Sequence, residues 1–403
     1  MRILIIHNHY KEAGGEDTVF FAEANLLEEH GHEVRKLALS NNNVTSIKQK
    51  LEAAFGVIYN RRSAKLIEHE IKAFKPDVVH VHNFFPLVSP AVFYVCHKYK
   101  VPVVMTLHNY RLICPSALLH YNGKVQLENV HKVFPTDAIR KKVYRNSAFQ
   151  TASVVLATGV HKLLGTWQNK VTKFIVLTPG AANLFLNSSL KPKSEQLVVK
   201  PNFSEDMGVG EENREDYYLY IGRLTPEKGI ETLLKAQQLN PFNLKIVGDG
   251  PLRSMVAQQA AKQPGVEYLG FRKREEAMQL LKKAKALIFS SEWMETFGMT
   301  IVEAFATGTP VIAANIGGAA HLVQHKYNGL HYTPQNAQEL AEQIEVLEQN
   351  PVLAHELGKN ARTTYEQQYT SEVNYKLLLQ VYQSAIGQKE KLASTTLVVE
   401  ASF

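Results

Sequence analysis

Short apolar runs recur along the chain, each followed by a polar or glycine-containing turn and then by a stretch of mixed polarity. Arg2–Ile6, Glu33–Leu37, Asp77–Val81, Val101–Leu107, Lys173–Leu177 and Gln196–Lys200 are strand-sized, and most are rich in Val, Ile and Leu. Without clear polar alternation they predict strands buried on both faces, as in a parallel sheet covered by helices. Amphipathic stretches such as Asp17–Glu29, which ends near Gly31, predict the crossover helices. A second series follows Phe203: Tyr217–Ile221, Asn243–Val247, Val266–Leu269, Ala286–Phe289 and Pro310–Ala313, with helices at Ile230–Leu239 and Leu252–Lys262 between them. Ser204–Asp216, acidic and poor in apolar residues, reads as the linker or the surface start of the second series. Helices at about Ala337–Leu347 and within Val352–Ile386 close the pattern, and periodicity is lost after Gly387.

The alternation predicts an α/β fold of two doubly wound parallel-sheet domains facing each other, residues 1–202 and 203–370. Residues 371–387 are expected to form a helix packing back on the first domain, and 388–403 a tail. A length of 403 residues suits two domains. No apolar run approaches the roughly 18 residues of a membrane helix. Met1-Arg2 leads straight into a strand, so no secretory leader is read. Cys96 and Cys114 form no metal-type or redox-type pair, and a cytoplasmic location with reduced thiols is expected.

Charge divides the chain. Residues 1–200 carry 26 Lys/Arg against 14 Asp/Glu, a net of +12, whereas residues 201–403 carry 19 against 24, a net of −5. The basic half invites an anionic membrane or a phosphorylated substrate; nucleic acid is not expected, because no matching motif accompanies the charge. Reversible association with anionic lipid on the inner face of the membrane is expected from Lys48–Lys75, with Arg61-Arg62 and Lys65, and from Arg140–Arg145 inside a helix Asp137–Phe149.

Chemistry gathers at the carboxyl ends of strands. Glu295 and Glu303 bracket an apolar segment, of which Met299–Ala306 reads as a buried helix stopped by Gly308. A carboxylate there needs a hydrogen-bonding partner, which a ligand diol or a core arginine could supply. Glu295 lies in the preceding loop near Phe297-Gly298, beside helix N-terminal amides suited to a diphosphate. Ile221-Gly222-Arg223 through Lys228-Gly229 is a strand end, a glycine turn and two cations, able to grip phosphate as fork and point charge. Gly248 sits in a further strand-end turn, Gly248-Asp249-Gly250. In the first domain Gly14-Gly15 precedes a helix without the G-x-G-x-x-G of a nicotinamide enzyme, and His108-Asn109-Tyr110-Arg111 ends a strand. His80, His82 and Asn83 line the same edge. No H-E-x-x-H or Cys/His cluster supports a metal, so none is expected.

These segments together resemble the retaining GT-B glycosyltransferases of family 4, over nearly the whole chain. The marks are Glu295-x7-Glu303 with Phe297-Gly298, Gly222-Arg223, Lys228-Gly229, Gly248-Asp249-Gly250, Gly317-Gly318, Asn328-Gly329, the Pro201-Asn202 pair and the His108–Arg111 run. The resemblance implies two Rossmann-like domains facing a central cleft. It implies a UDP- or GDP-sugar donor, no other cofactor, and a glycan or lipid-linked acceptor in surface polysaccharide or glycoconjugate synthesis. Carried over, Arg223 and Lys228 bind the diphosphate, Glu303 the ribose, and Glu295 the donor sugar. Phe297, Gly298, Met299, Gly248 and Arg272 join the donor site, His108 lines the sugar pocket, and Gly15 approaches the diphosphate. Asn109, Tyr110 and Arg111 stand on the acceptor side. The position after Gly317-Gly318 where many relatives carry Glu is His321 here. Alternatives of another kind are a sugar-nucleotide epimerase, a phosphorylase, or a non-catalytic sugar-nucleotide binder.

Overall fold

The computed structural model describes residues 1–9, 14–40 and 56–400, with side chains through 388. Among the described residues there are fourteen strands: β1 Arg2–His9, β2 Glu33–Ser40, β3 Val78–Val81, β4 Val103–Thr106, β5 His120–Tyr121, β6 Lys124–Val125, β7 Lys173–Val176, β8 Leu197–Val199, β9 Glu215–Ile221, β10 Leu244–Val247, β11 Val266–Gly270, β12 Ala284–Phe289, β13 Val311–Ala314 and β14 Gly329–Tyr332. All but β5 and β6 lie in two parallel six-stranded sheets, ordered β2-β1-β3-β4-β7-β8 and β11-β10-β9-β12-β13-β14. Burial explains the sequence pattern. Ile3 to Ile6 on β1 and Val311 to Ala314 on β13 are fully covered, as strands with helices on both faces must be.

The molecule divides into two compact units. The first holds residues 1–119, 126–200 and the chain from Tyr375 on; the second holds 120–125 and 201–374. The architecture is GT-B-like, two Rossmann-like doubly wound units. Each sheet reverses its winding once. In the first unit β1 pairs with both β2 and β3, and in the second β9 pairs with both β10 and β12. Crevices at the carboxyl ends of such switch points are where open α/β sheets take ligands.

Local sequence sets the helix ends. Asn60 accepts from the amides of Arg62 and Ser63 to start helix Arg61–Phe74, and Thr178 caps helix Pro179–Leu186 with Pro at its first turn. The last helix runs unbroken from Ser371 to Glu400, past Gly387, where the periodicity reading ends it. One interior glycine costs a helix only about 1 kcal/mol, and the Lys, Glu and Leu that follow favour helix. From Tyr375 this helix belongs to the first unit: the Tyr375 ring stacks on His30 and the Tyr382 hydroxyl meets His80 Nδ1 at 2.8 Å.

A second expectation changes, and one strand was not foreseen. The helix expected over Asp137–Phe149 is two helices, Thr136–Arg140 and Ala148–Leu163, split by a turn in which Lys142, Arg145 and Asn146 have φ of 53°. Three left-handed residues cannot continue a right-handed helix. Strand β14 went unread, because Gly329-Leu330-His331-Tyr332 is short and lacks an apolar run. Of the Lys48–Lys75 stretch, residues 48–55 lie outside the described residues, while Arg61, Arg62 and Lys65 are on helix Arg61–Phe74.

Gly229 shows how tightly the second switch point is built. Its φ is +67°, and a Cβ there would stand 1.9 Å from the Ser290 carbonyl oxygen. Gly270, with φ +71°, has open space around it. Gly270→Ala should cost only the left-handed penalty of about 1–2 kcal/mol. Gly229→Ala should cost a further 1–3 kcal/mol, roughly, for the backbone collision. Urea titration of the two variants checks this, and equal midpoints would contradict the packing argument.

Candidate active site

The loops after β9 and β12 meet at the second unit's switch point. The Ser290 hydroxyl donates to the Lys228 carbonyl at 2.8 Å, and the Glu292 amide donates to the Glu227 carbonyl at 2.9 Å. This stitching brings the two expected groups into contact: Lys228 Nζ lies 2.6 Å from Glu295 Oε1. The buried Ser291 donates its hydroxyl to the same oxygen. An ammonium has three donors, so Lys228 can hold Glu295 and still turn N–H groups to an anion. Its charge also stands 5.6 Å from the centre of the Trp293 ring.

Gly317-Gly318 shapes the Glu295 loop from the other side. Gly317 has φ +57°, and its Cβ would fall 2.7 Å from the Glu295 amide nitrogen. The Gly318 amide donates to the Glu295 carbonyl at 2.7 Å. His321, four residues on, is exposed.

Helix Met299–Ala306 begins at Gly298, which offers no side-chain cap. Its first amides therefore face the loop without a side-chain acceptor, and the helix dipole adds to their pull on an anion. Phe297 and Gly298 are buried and Met299 is half-buried. Glu303, one turn on, is nearly covered, and burial raises its pKa against the pull of Arg274. Arg274 is the residue that sequence reasoning missed. Its Nε is 3.3 Å from Glu303 Oε1, while its fork reaches Glu205 at 2.9 Å and Ser204 at 3.3 Å. Arg272, the arginine singled out in that segment, is exposed. Register tells them apart: Arg274 opens helix Arg274–Lys283, whereas Arg272 sits in the loop before it. Arg223 is exposed beyond the end of β9, and its loop is tied down by the Leu224 amide donating to the Asp249 carbonyl at 2.9 Å. Gly248 lies against that loop, with a Cβ position 1.9 Å from the Gly222 carbonyl.

In the first unit the corresponding edge is a buried polar network. Lys200 Nζ meets Glu23 Oε1 at 2.6 Å, both side chains about 1% exposed. Burial alone would raise the Glu23 pKa, but the Lys200 ammonium outweighs it and holds the carboxylate ionised. His82 Nε2 is 3.4 Å from the other Glu23 oxygen, and its Nδ1 faces His108 Nε2 at 3.0 Å. Neither His82 Nε2 nor that Glu23 oxygen has a hydrogen bond among the described residues, and the His82–His108 contact shares one proton between its two nitrogens. Burial pushes the His108 pKa down to about 3, so the ring is neutral.

Gly15 starts the helix Gly15–Glu29. Beside it, Glu16 accepts from Asn83 at 3.0 Å and from Asn109 at 3.4 Å. Burial first and Asp17 second push the Glu16 pKa up to about 7. The Arg111 guanidinium lies between the Phe85 and Tyr144 rings, at 4.8 and 4.7 Å. A small pocket of about 30 Å³ opens among Asn83, Phe85, His108, Asn109 and Arg111. Tyr110 is 1% exposed and stacks on Phe185, so its side chain supports the loop from the core.

Among the described residues, two clusters have the composition of metal ligands. In Glu23, His80 and His82 the Lys200 ammonium already supplies the cation. In His7, His9 and Asp17 one carboxylate oxygen meets both rings, and the other accepts the Gly14 amide at 2.7 Å as a helix cap. The remaining nitrogen of His7 is buried without a hydrogen bond among the described residues, whereas a ligating histidine normally donates from it. A cavity of about 690 Å³ in the second unit lies at the opposite, amino ends of β9 and β13. Its Lys285 and Arg362 are paired with Glu348, Asp216, Asp206 and Glu366.

Residues 203–364 match the family described as Glycosyl transferases group 1, and residues 13–158 match Glycosyltransferase Family 4. Together the matches support a glycosyltransferase of the GT-B, family 4 type. An uncharacterised 42.6 kDa protein of the Klebsiella pneumoniae cps region is 28% identical over 270 residues, which is 66% of this chain and 64% of that protein. An uncharacterised glycosyltransferase of Methanocaldococcus jannaschii is 26% identical over 320 residues, 77% of this chain and 76% of its own length. Among solved structures, Anabaena HepE in complex with UDP superposes with a TM-score of 0.68 at 19% identity, over 95% of this chain and 100% of HepE. Sucrose-phosphate synthase from Thermosynechococcus elongatus gives 0.70 at 18% identity, over 96% and 99%. At such identities the likeness shows the fold.

Glu16 provides a test of the first unit's electrostatics. Its folded pKa of about 7 stands above the ordinary 4.5, so between these values the native state binds the proton more tightly than the unfolded chain. Stability should therefore fall as pH rises through that window. Measured against Glu16→Gln, wild type should lose stability from pH 4.5 to 7; parallel curves would show that Glu16 is not so perturbed.

Proposed function

We propose that the chain is a retaining, metal-independent glycosyltransferase that moves a sugar from a UDP- or GDP-sugar to a hydroxyl of a glycan or lipid-linked acceptor in the cytoplasm. The observation that carries this reading is the Lys228–Glu295 contact at the second switch point, beside the uncapped start of helix Met299–Ala306. A cation, a carboxylate and helix amides within one crevice suit the two parts of a sugar nucleotide: a diphosphate that gains negative charge on leaving, and a sugar rich in hydroxyls.

In this mechanism Lys228, Arg223 and the amides at Met299 stabilise the departing diphosphate. Glu295, fixed by Lys228 and Ser291, orients the sugar through its remaining lone pairs. That role leaves it poorly placed as the nucleophile of a double displacement. The acceptor then attacks on the face the diphosphate leaves, and the diphosphate takes its proton. Glu303, held ready by Arg274, accepts the ribose hydroxyls. In the first unit His108 meets a sugar hydroxyl, and Glu16, Asn109 and Arg111 face the acceptor. HepE is described with UDP and with UDP-glucose, which accords with a UDP-sugar donor, and an Escherichia coli relative as an O-antigen chain mannosyltransferase, which accords with sugar transfer into a surface glycan. Metal independence rests on the cations and amides already placed for the diphosphate, and on a sequence without Asp-x-Asp.

Release of nucleoside diphosphate from a panel of UDP-, GDP- and ADP-sugars, with mass analysis of the products, is the test. Turnover should persist in EDTA. Arg223→Ala and Lys228→Ala should each lower it by a factor on the order of 10² to 10³, with unchanged melting. Loss of activity in EDTA with rescue by Mg²⁺, or near-normal turnover in both variants, would contradict the assignment.

A further inference from the structure

Helix Ala148–Leu163 turns an apolar face to solvent. Phe149, Leu156 and Leu163 are 54, 46 and 69% exposed, and Leu164 just beyond is 61% exposed. They recur every seven residues, so they fall on one side of the helix and form a ridge roughly 21 Å long. Ala152, Ser153 and Val160 lie between them, each half-buried. The one hydroxyl on the ridge is already satisfied, since Ser153 Oγ donates to the Phe149 carbonyl at 3.0 Å. No charged residue interrupts the face. The opposite face is anchored: Val154, Val155, Ala157 and Thr158 are buried, and His161 bonds Thr166 at 2.9 Å and the Ile58 carbonyl at 2.8 Å. The ridge is thus held rigidly outward.

Its surroundings are basic. From 138 to 194 the chain contains no Asp or Glu and nine Lys or Arg. Four of these lead into the ridge, Arg140 at the end of the preceding helix and Lys141, Lys142 and Arg145 in the turn. Arg140, Lys142 and Arg145 are exposed, while Lys141 has Glu128 within 3.6 Å. The left-handed residues of this turn keep the basic cluster off the helix, so cations and apolar ridge adjoin without sharing a face.

We propose that this ridge and turn dock the first unit on an anionic lipid surface. Phe149, Leu156, Leu163 and Leu164 enter the acyl boundary, and Arg140, Lys142 and Arg145 lie among the headgroups. An apolar face bordered by a tract of one charge sign matches a surface that is apolar within and negative at its rim. A second copy of the chain would instead bring the same basic turns together. The argument rests on this surface alone and not on the transferase reading.

Flotation of the full chain with phosphatidylcholine vesicles, with and without phosphatidylglycerol, tests it. Wild type should float with the anionic vesicles and be released by salt. Arg140→Glu with Lys142→Glu and Arg145→Glu should weaken the partition by roughly a hundredfold or more, since each surface cation contributes about a factor of five. Leu156→Glu with Leu163→Glu should abolish flotation on either vesicle. Retained melting temperature and UDP or GDP binding show that a variant is folded, and because nucleotide binding is read separately, failure here leaves the transferase reading standing. If wild type does not float, or if the ridge variants float as wild type, the proposal is overturned. It is also overturned if the ridge variants merely turn a wild-type dimer into a monomer in sedimentation while vesicle binding is absent throughout.

Discussion

The second unit depends on the close approach of two backbones at its switch point. Gly229 passes so near the Ser290 carbonyl that no other residue fits without displacement. Because of that approach the Ser290 hydroxyl reaches the Lys228 carbonyl, and the Lys228 ammonium reaches the Glu295 carboxylate. The glycine pair 317-318 presses the Glu295 loop into place from β13. The glycines of this segment are therefore spacers that set where charge stands, and the charged groups would have no fixed relation without them.

The first unit solves a different problem, that of keeping polar groups inside. A carboxylate, an amine and three imidazoles are packed at the ends of β1, β3 and β4, where isolated charges would be very costly. Glu23 and Lys200 neutralise each other, and the histidines stay neutral through burial. The same network reaches Tyr382 on the last helix through His80, which gives the return of the chain to the first unit a specific contact as well as an apolar one.

Much of this was legible from the sequence. Continuous Val/Ile/Leu runs located the strands of both sheets, since burial on two faces leaves an unmistakable composition, and Ile230–Leu239 and Met299–Ala306 were read to the residue. Glu295, Lys228, Glu303 and Phe297-Gly298 fell at the edge where the sheet order reverses. What escaped reading was set by tertiary contact. Arg274 rather than Arg272 meets Glu303, because the start of a helix decides which of the two turns inward. Tyr110 went to the core, whereas Asn109 and Arg111 on either side of it are half-buried. The turn at 141–147 broke a stretch whose composition favoured helix, and with it the basic amphipathic helix became a basic turn beside an apolar one. Exposure of Phe149, Leu156 and Leu163 could not be seen in sequence, because the same heptad spacing would serve a buried face equally well.

The central claim is that a nucleoside diphosphate binds at the second unit's switch point. Hydrogen–deuterium exchange of the full chain, read by mass spectrometry with UDP or GDP added in EDTA, tests it most directly. Protection should concentrate in residues 222–230 and 295–303, and Lys228→Ala should diminish it in both segments together. Protection confined to other segments, or none at saturating concentrations of either nucleotide, would contradict the account.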